Sequence, residues 1–426
     1  MVIFRHFLIF ILLSASLSVS ATQTTDSFLL IKADHLFDGE QMHTGWGIWV
    51  QGQKIVAVGP LSGLPTHSPY KTFDLKGKTL LPGLIEGHSH LLLHPYNETK
   101  WDKQVMDESD AERVARAVVH ARSTLMAGFT TVRDLGTEGA GYADVGLKTA
   151  IEKGIIPGPR MLIATRAIVA TGSYGPKLGN LNHQVIKGAA EADGVEGLTK
   201  EIRQQMGNGA DLIKVYADYR WGPDNTPAPT FTLEELRKAV EVSASAGKQV
   251  VAHASNIEGM KRAALARVST IEHGDYGNHE VFDLMLRNNV ALCATLGATE
   301  ATATYDGWKK GIMPPTDRIA AKKKSFQLAL QKSVTICFGG DVGVFTHGDN
   351  VREMELMVEY GMKPVDVIKS ATSINAKVFG IGDKIGRLQK GLLADMIAVD
   401  GNPLEDISVM RKIVLVMKEG KIYLHP

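Results

Sequence analysis

The stretch "TLLPGLIEGHSH" at residues 79–90 decides which fold the sequence encodes. It is an apolar run that ends in two histidines, His88 and His90, two positions apart. Residues i and i+2 of a β-strand point to the same face of the sheet, so the two imidazoles could hold one metal ion between them. Most His-x-His pairs in a chain of this size bind no metal. Evidence from other parts of the sequence is therefore needed before this pair is interpreted as a metal site.

Further apolar runs of strand character follow this one, and helical patterns separate them. The eight candidate strands are 79–87, 130–135, 160–168, 210–217, 249–254, 269–274, 290–296 and 334–340. Residues 111–128 form an amphipathic run that ends in glycine, and Thr232 and Glu235 have the spacing of a capping box. Eight strands alternating with helices predict a parallel (β/α)8 TIM-like barrel of the α/β class, whereas an open doubly wound sheet is the alternative.

The two ends of the chain differ from this alternating middle. Both consist of short β-branched and aromatic runs that are broken by glycine and aspartate turns. We therefore expect residues 22–80 and 383–426 to form one small β-sandwich domain, and residues 81–382 to form the barrel.

Residues 1–21 have the pattern of a secretory signal peptide. Arg5 precedes an apolar run at 7–13, and small residues lead to Ala21, the expected cleavage site. The apolar run is too short to span a bilayer. The sequence thus predicts an exported protein, periplasmic or secreted, with no stable membrane anchor after cleavage.

The composition is that of an ordinary globular protein. The 426 residues include 47 Lys and Arg against 46 Asp and Glu, and the formal net charge is +1. No basic block or aromatic-interleaved stripe stands out, so we expect no nucleic-acid partner. Cys293 and Cys337 lie in apolar strand-like runs, and we expect them to be core residues rather than a disulfide.

Residues able to bind metal occur near the ends of five of the candidate strands. They are His88, His90, Lys214, His253, His273 and Asp341. A single histidine near a strand end is usually a core residue, but a lysine inside an apolar strand is costly to bury in its charged form. Because the carboxyl ends of barrel strands meet at one mouth, the convergence of these residues predicts a metal centre.

Four imidazoles, a carboxylate and a lysine suit a borderline-soft divalent ion such as zinc. A lysine ammonium has no free lone pair, so Lys214 must be either a neutral amine or a carbamate formed with carbon dioxide. Charge balance favours two divalent ions bridged by carbamylated Lys214 and a hydroxide, with Asp341 as the other anionic ligand.

The sequence resembles the metal-dependent amidohydrolase superfamily. The segments that carry the resemblance are "LLPGLIEGHSH", "GFTTVRDLG", "IKVYAD", "VVAHAS", "IEHGD" and "KGLLADMIAVDGNPLEDI". Within it, the chain is most similar to exported Xaa-Pro-type dipeptidases near imidazolonepropionase, a branch that includes the ochratoxin-hydrolysing amidases. The resemblance implies cleavage of the amide bond of dipeptides or N-acyl amino acids with a free carboxylate by a metal-activated hydroxide. Because members of the family often assemble, we expect a homo-oligomer.

The same resemblance assigns roles to the predicted ligands. His88 and His90 with Asp341 would hold the more buried metal, His253 and His273 the more exposed one, and carbamylated Lys214 would bridge them. Asp341 would also take the proton from the attacking water and pass it to the departing amine.

Three residues near the mouth are candidates for contacts with the substrate. A free carboxylate needs a cation or a phenol, and the candidates near the mouth are Tyr216, Arg220 and His347. Arg133 and Asp134, at the second strand end, could form an ion pair under the site or support its ligands. The segment "ADYRWGPDNTP" after Lys214 departs from the "TGG"-like stretch common in the family, so the substrate contacts of this loop are specific to this chain.

Three alternatives remain open at this point. The same metal pair could hydrolyse a cyclic amide, an imidazolone or a lactone. Deaminases of the superfamily generally use one metal and lack the strand-four lysine, so a deaminase is less favoured. A non-enzymatic scaffold should have lost metal ligands, and all six expected positions are filled here.

Overall fold

The fold centres on a parallel barrel, seen in a computed structural model that describes residues 28–68, 70–176 and 185–425. Residues 79–82 of the first predicted strand belong instead to the strand Tyr70–Pro82 of a separate sheet, but all eight predicted barrel strands have observed counterparts. They are Leu84–Ser89, Phe129–Asp134, Arg160–Ile163, Ile213–Tyr216, Val250–Ala254, Thr270–His273, Ala291–Cys293 and Ile336–Cys337. The predicted signal peptide at 1–21 lies outside the described residues.

The first and last strands of the barrel meet. Gly87 N donates a hydrogen bond of 3.1 Å to Phe338 O, and Asp341 N donates one of 2.8 Å to His88 O. A parallel bridge also joins Ser89 to Val342. These contacts close the sheet, so the barrel is confirmed and the open doubly wound alternative is wrong.

The third and fourth strands are joined through a short extension. Asp211 N donates to Ile163 O at 2.8 Å, and Val215 pairs with Ile168 in the small strand Ile168–Val169. That strand also pairs with Ala190–Glu191. The seven-stranded and three-stranded sheets of the barrel thereby form one wall.

Helices connect the barrel strands. They are Trp101–Asp107, Asp110–Met126, Ala143–Glu152, Gly194–Gly207, Leu233–Ala244, Ile257–Ala266, His279–Arg287, Leu296–Tyr305, Asp317–Gln331, Val351–Glu359, Pro364–Lys369 and Asn375–Val378. A π-helical turn, Ser370–Ile374, lies between the last two. The predicted capping box is present, because Thr232 accepts from Glu235 N and Glu235 accepts from Thr232 N. No helix among the described residues is both long and apolar enough to cross a bilayer.

Side-chain alternation along the strands positions the site. In the fourth strand, Ile213 and Val215 pack in the main core with helix residues such as Leu236. Because successive strand residues point to opposite faces, Lys214 and Tyr216 point to the barrel interior. Cys293 and Cys337 are buried free thiols, as expected.

Segments from both chain ends form a separate mixed sheet of eight strands. Its strands are Phe28–Phe37, Met42–Thr44, Trp46–Gln51, Lys54–Pro60, Tyr70–Pro82, Met396–Val399, Ile413–Lys418 and Lys421–Leu424. Tyr70–Pro82 pairs in parallel with Phe28–Phe37 and antiparallel with Met396–Val399, so it joins the two ends of the chain. A small sheet domain built from both ends accompanies the barrel, as the sequence predicts.

Arg160 ties the barrel to this sheet. Its Nη1 lies 2.6 Å from Asp395 Oδ2 and its Nη2 lies 2.6 Å from Glu419 Oε1. Asp395 is buried, and its other oxygen accepts a hydrogen bond from Glu419 N. The guanidinium therefore compensates a buried negative charge between the two domains.

We predict that Arg160→Gln destabilises the protein by about 2 to 3 kcal/mol, because it leaves the Asp395 carboxylate buried without its cation. Urea denaturation followed by circular dichroism measures the change. Arg116→Gln is the matched control, since Arg116 forms an exposed ion pair with Glu112 and should cost about 0.5 kcal/mol or less. Equal denaturation midpoints for the two variants would contradict the prediction.

Candidate active site

Four of the predicted histidines meet at one mouth of the barrel. The ring centroids of His88 and His90 are 5.4 Å apart, and those of His88 and His273 are 5.2 Å apart. His253 follows, with its ring centroid 4.3 Å from that of His273. The four imidazoles thus lie side by side, although they come from three different strand ends.

Asp341 completes a cluster suited to a metal ion. Its Oδ1 lies 3.5 Å from His88 Nε2 and 3.3 Å from His90 Nε2. Within the described part of the chain, these three residues are the group whose ligand atoms all lie within 4.8 Å of one another. Burial would raise the pKa of the Asp341 carboxyl, but nearby His88 and His90 hold that pKa below its usual value.

The other ring nitrogens of the two first-strand histidines are already bonded. His88 Nδ1 lies 2.8 Å from Glu272 Oε2, and His90 Nδ1 donates to Gly136 O at 2.9 Å. Histidines that bind metal usually donate their second ring nitrogen to a carboxylate or a carbonyl in this way. Both Nε2 atoms are left to face Asp341.

Backbone strain accompanies two of the candidate ligands. His273 has φ of 78° and Asp341 has φ of 63°, in the left-handed region that residues other than glycine rarely adopt. Such conformations cost on the order of 1 to 3 kcal/mol each and tend to occur at functional sites. His273 is fixed further by a contact of 2.8 Å between its Nδ1 and Thr295 Oγ1.

Glu272 is a supporting residue that the sequence interpretation missed. It is fully buried, and its Oε1 accepts a hydrogen bond of 2.8 Å from Arg133 Nη2. Burial would raise its pKa, but Arg133 and His88 together lower it, so the carboxylate stays ionised. Its signal was available, since an acid inside the apolar run "STIEHG" is as costly to bury as the lysine in "LIKVY".

Arg133 and Asp134, the predicted pair at the end of the second strand, bond different partners. Arg133 lies beneath the site and also donates from Nε to Gly87 O at 2.7 Å. Asp134 accepts a hydrogen bond of 2.7 Å from Leu91 N instead of pairing with Arg133. Both therefore hold the segment around His88 and His90 in place, one from each side.

Lys214 is buried in the barrel interior beside the histidines. Burial lowers the pKa of its amine to about 8. The amine has no hydrogen bond or ion pair with any described residue, and its Nζ lies 5.7 Å from the centroid of the Tyr216 ring. A buried amine with no hydrogen-bonded carboxylate among the described residues is chemically suited to modification or to a nearby ligand.

The site opens into a cavity of about 1690 Å³. Its aromatic lining consists of Tyr96, Trp101, Tyr174, Tyr216, Tyr219, Tyr276, Tyr305 and Trp308. Tyr216 stacks on His253, with ring centroids 4.6 Å apart and planes 9° apart. Arg220 also lines the cavity but is exposed.

His347, the third predicted substrate contact, lies outside the described cavity lining. It is buried, its Nε2 donates to Leu93 O at 2.9 Å, and it stacks on His120 with ring centroids 4.3 Å apart. It is not among the described residues that line the cavity. The structure therefore does not bring it together with Tyr216 and Arg220.

The donor chemistry fits divalent metal binding. The Nε2 atoms of His88 and His90 and a carboxylate oxygen of Asp341 converge, while the opposite ring nitrogens are bonded to fixed acceptors. Imidazole and carboxylate donors of this kind suit zinc and similar ions. His253 and His273 stand next to this group and could serve a second ion.

Sequence comparison places the chain among known hydrolases. Residues 79–423 match the model of the amidohydrolase family. Ochratoxinase from Aspergillus niger is 31% identical over 420 residues, which cover 91% of this chain and 85% of that protein. Imidazolonepropionase from Shewanella woodyi is 23% identical over 386 residues, which cover 82% of this chain and 85% of that protein.

Structural comparison gives the same grouping. A crystal structure of a Xaa-Pro dipeptidase with bound methionine in the active site superimposes with a TM-score of 0.81 at 32% identity, covering 93% of this chain and all of that one. The crystal structure of Aspergillus niger ochratoxinase superimposes with a TM-score of 0.81 at 27% identity, covering 94% of this chain and 96% of that one.

We predict that Glu272→Gln weakens metal retention about 10- to 100-fold, because it removes the charged acceptor that orients His88. Metal content after dialysis against graded chelator, measured by mass spectrometry, reports the loss. Glu353→Gln is the matched control: among the described residues, the side chain of this buried acid accepts hydrogen bonds from Leu296 N and Gly297 N and from no candidate ligand, and burial raises its pKa to about 8. Equal metal retention in both variants would contradict a supporting role for Glu272.

Proposed function

Because the chain belongs to the amidohydrolase family and is a hydrolase of carbon–nitrogen bonds, we propose that it cleaves the amide bond of dipeptides or N-acyl amino acids with a free carboxylate. The observation that carries the proposal is the cluster of His88, His90 and Asp341 at the mouth of a large aromatic cavity. The similarity to an ochratoxinase and to a Xaa-Pro dipeptidase supports this substrate class.

The proposed cofactors are two divalent ions, with zinc as the expected metal. His88, His90 and Asp341 would hold one ion, and His253 and His273 the other, with Lys214 as a carbamate between them. The burial of the Lys214 amine, with no hydrogen bond or ion pair to any described residue, supports this modification. When bound, such ions supply Lewis-acid polarisation of a carbonyl and a water acidic enough to ionise near neutral pH.

Asp341 is the residue that we propose to move protons. Its carboxylate lines the cavity, and a carboxylate is ionised near neutral pH, so it can accept a proton from the attacking water. The protonated carboxyl then donates to the departing amine nitrogen. Its backbone bond to His88 O keeps the carboxylate in reach of both events.

Tyr216 and the other aromatic rings would bind the apolar part of the substrate. Tyr216 lies flat against His253, and Tyr174 and Tyr219 pack around it with ring centroids 4.8 and 5.8 Å from that of Tyr216. Aromatic surfaces bury a large apolar area and exclude water from the reacting bond. A bulky acyl group is the best match to this lining.

The similarity to imidazolonepropionase supports a second candidate, the opening of a cyclic amide, an imidazolone or a lactone. Both reactions would use the same ligands and the same Asp341. Parallel assay of linear N-acyl amino acids and of cyclic amides separates the two proposals, and turnover of cyclic substrates alone would favour the second.

We predict that the protein supplied with zinc and bicarbonate hydrolyses N-acyl amino acids, and that Asp341→Asn lowers kcat by at least about 100-fold because proton transfer is lost. Steady-state kinetics with chromatographic detection of the free amino acid measures both effects. Asp383→Asn changes an exposed aspartate and should leave kcat unchanged. An active Asp341→Asn variant would overturn the assigned role.

We also propose that the protein is exported, on the pattern of residues 1–21. The full-length chain expressed with its own N terminus should yield a mature form that begins at Thr22, as read by N-terminal sequencing of the periplasmic or extracellular fraction. A protein that is retained inside the cell with Met1 intact would contradict export. The same preparation, analysed by light scattering, tests the expected homo-oligomer.

A further inference from the structure

We propose that Arg318 binds the free carboxylate of the substrate, an inference that rests on the proposed function and narrows its substrate class. Arg318 was not among the candidates that the sequence suggested. It stands in the first turn of the helix Asp317–Gln331 and lines the cavity that contains His88, His90 and Asp341.

A buried aspartate fixes the guanidinium in place. Arg318 Nε lies 2.7 Å from Asp275 Oδ2, and Lys322 Nζ lies 2.7 Å from Asp275 Oδ1. Asp275 is only two residues beyond His273, and Lys322 Nζ also lies 3.4 Å from Thr295 Oγ1, the contact of His273 Nδ1. Arg318 is thereby held at a fixed position relative to the candidate metal ligands.

The same geometry leaves a positive charge and hydrogen-bond donors available. One carboxylate faces two cations, so one positive charge is not compensated within this group. The Arg318 side chain keeps 34% of its surface exposed, and its Nη1 and Nη2 make no hydrogen bond to any residue that the structure describes. A planar guanidinium with free terminal nitrogens matches the two oxygens of a carboxylate.

The other cations of the described cavity lining are less suitable. Lys100 and Arg220 are exposed, and neither has an ion-pair partner among the described residues that would hold it in one conformation. Ordering such a long side chain on binding costs conformational entropy. Arg318 has already lost most of this freedom through Asp275, which favours it as the binding residue.

The test compares a substrate with its neutral analogue. Wild-type protein with zinc should cleave N-benzoyl-L-phenylalanine with a kcat/KM far above that for the corresponding C-terminal carboxamide. Arg318→Gln should lower kcat/KM for the acid about 30- to 100-fold, mainly through KM, and should change the value for the carboxamide about 3-fold or less. Arg318→Lys keeps the positive charge but lacks the planar pair of terminal nitrogens, so it should recover part of the kcat/KM that Arg318→Gln loses for the acid.

Arg237→Gln is the matched control, since it removes the same charge from an exposed residue outside the described cavity lining and should keep the preference for the acid. Circular dichroism melting shows whether Arg318→Gln is folded. If the wild type cleaves the acid and Arg318→Gln retains the full preference for it over the carboxamide, Arg318 is not the binding residue and the proposed function stands.

A binding measurement without turnover separates the two proposals when no substrate is cleaved. Calorimetric titration of the zinc-loaded protein with L-phenylalanine and L-phenylalaninamide should give tighter binding of the acid, and Arg318→Gln should remove that difference. The absence of turnover alone counts against the proposed function. The absence of any difference between wild type and Arg318→Gln in this titration overturns the carboxylate assignment.

Discussion

The hydrogen bond from Asp341 N to the carbonyl of His88, 2.8 Å long, is the contact on which the candidate site depends. It joins the segment after the last barrel strand to the end of the first, at the place where the sheet closes. Without closure, the Asp341 carboxylate would not lie within 3.5 Å of both His88 Nε2 and His90 Nε2. Closure also holds Asp341 in a left-handed conformation, so the packing of the whole barrel offsets a local strain.

A second layer of buried charge makes this arrangement rigid. Arg133 and Glu272 form a fully buried ion pair, and Glu272 in turn bonds His88 Nδ1. A buried pair of this kind contributes little net stability, because desolvation costs nearly as much as the attraction returns. Its effect is on orientation: Glu272 fixes the ring of His88 through Nδ1, and Asp275 likewise fixes the guanidinium of Arg318 through Nε.

Much of the fold followed from local sequence patterns. The apolar runs of strand character are short-range signals, as are the glycine that ends one helix and the capping box that begins another, and the eight strands were found from this alternation. His88, His90, His253, His273 and Asp341 could be identified because parallel strands carry their last residues to one mouth, which is a property of the topology rather than of any single contact.

The site residues that the sequence did not predict depend on contacts between segments that are distant in the chain. Glu272 acquires its function from Arg133 and His88, and Arg318 from Asp275, and no local pattern encodes such partners. His347 follows the last strand, as a residue of the mouth would, but the loop that carries it turns it toward Leu93 and His120. Loop paths of this kind are set by packing, which sequence periodicity does not report.

The sheet built from both chain ends has a consequence for how the polypeptide reaches its native state. Tyr70–Pro82 acquires its antiparallel neighbour, Met396–Val399, only after the whole intervening barrel has been translated. Contacts of such long sequence separation slow folding and leave the early strands as open, unpaired edges in the meantime. The nascent chain therefore passes through a long period in which its N-terminal strands need shielding from other chains, and a ribosome-stalled or C-terminally shortened product would remain in that aggregation-prone state.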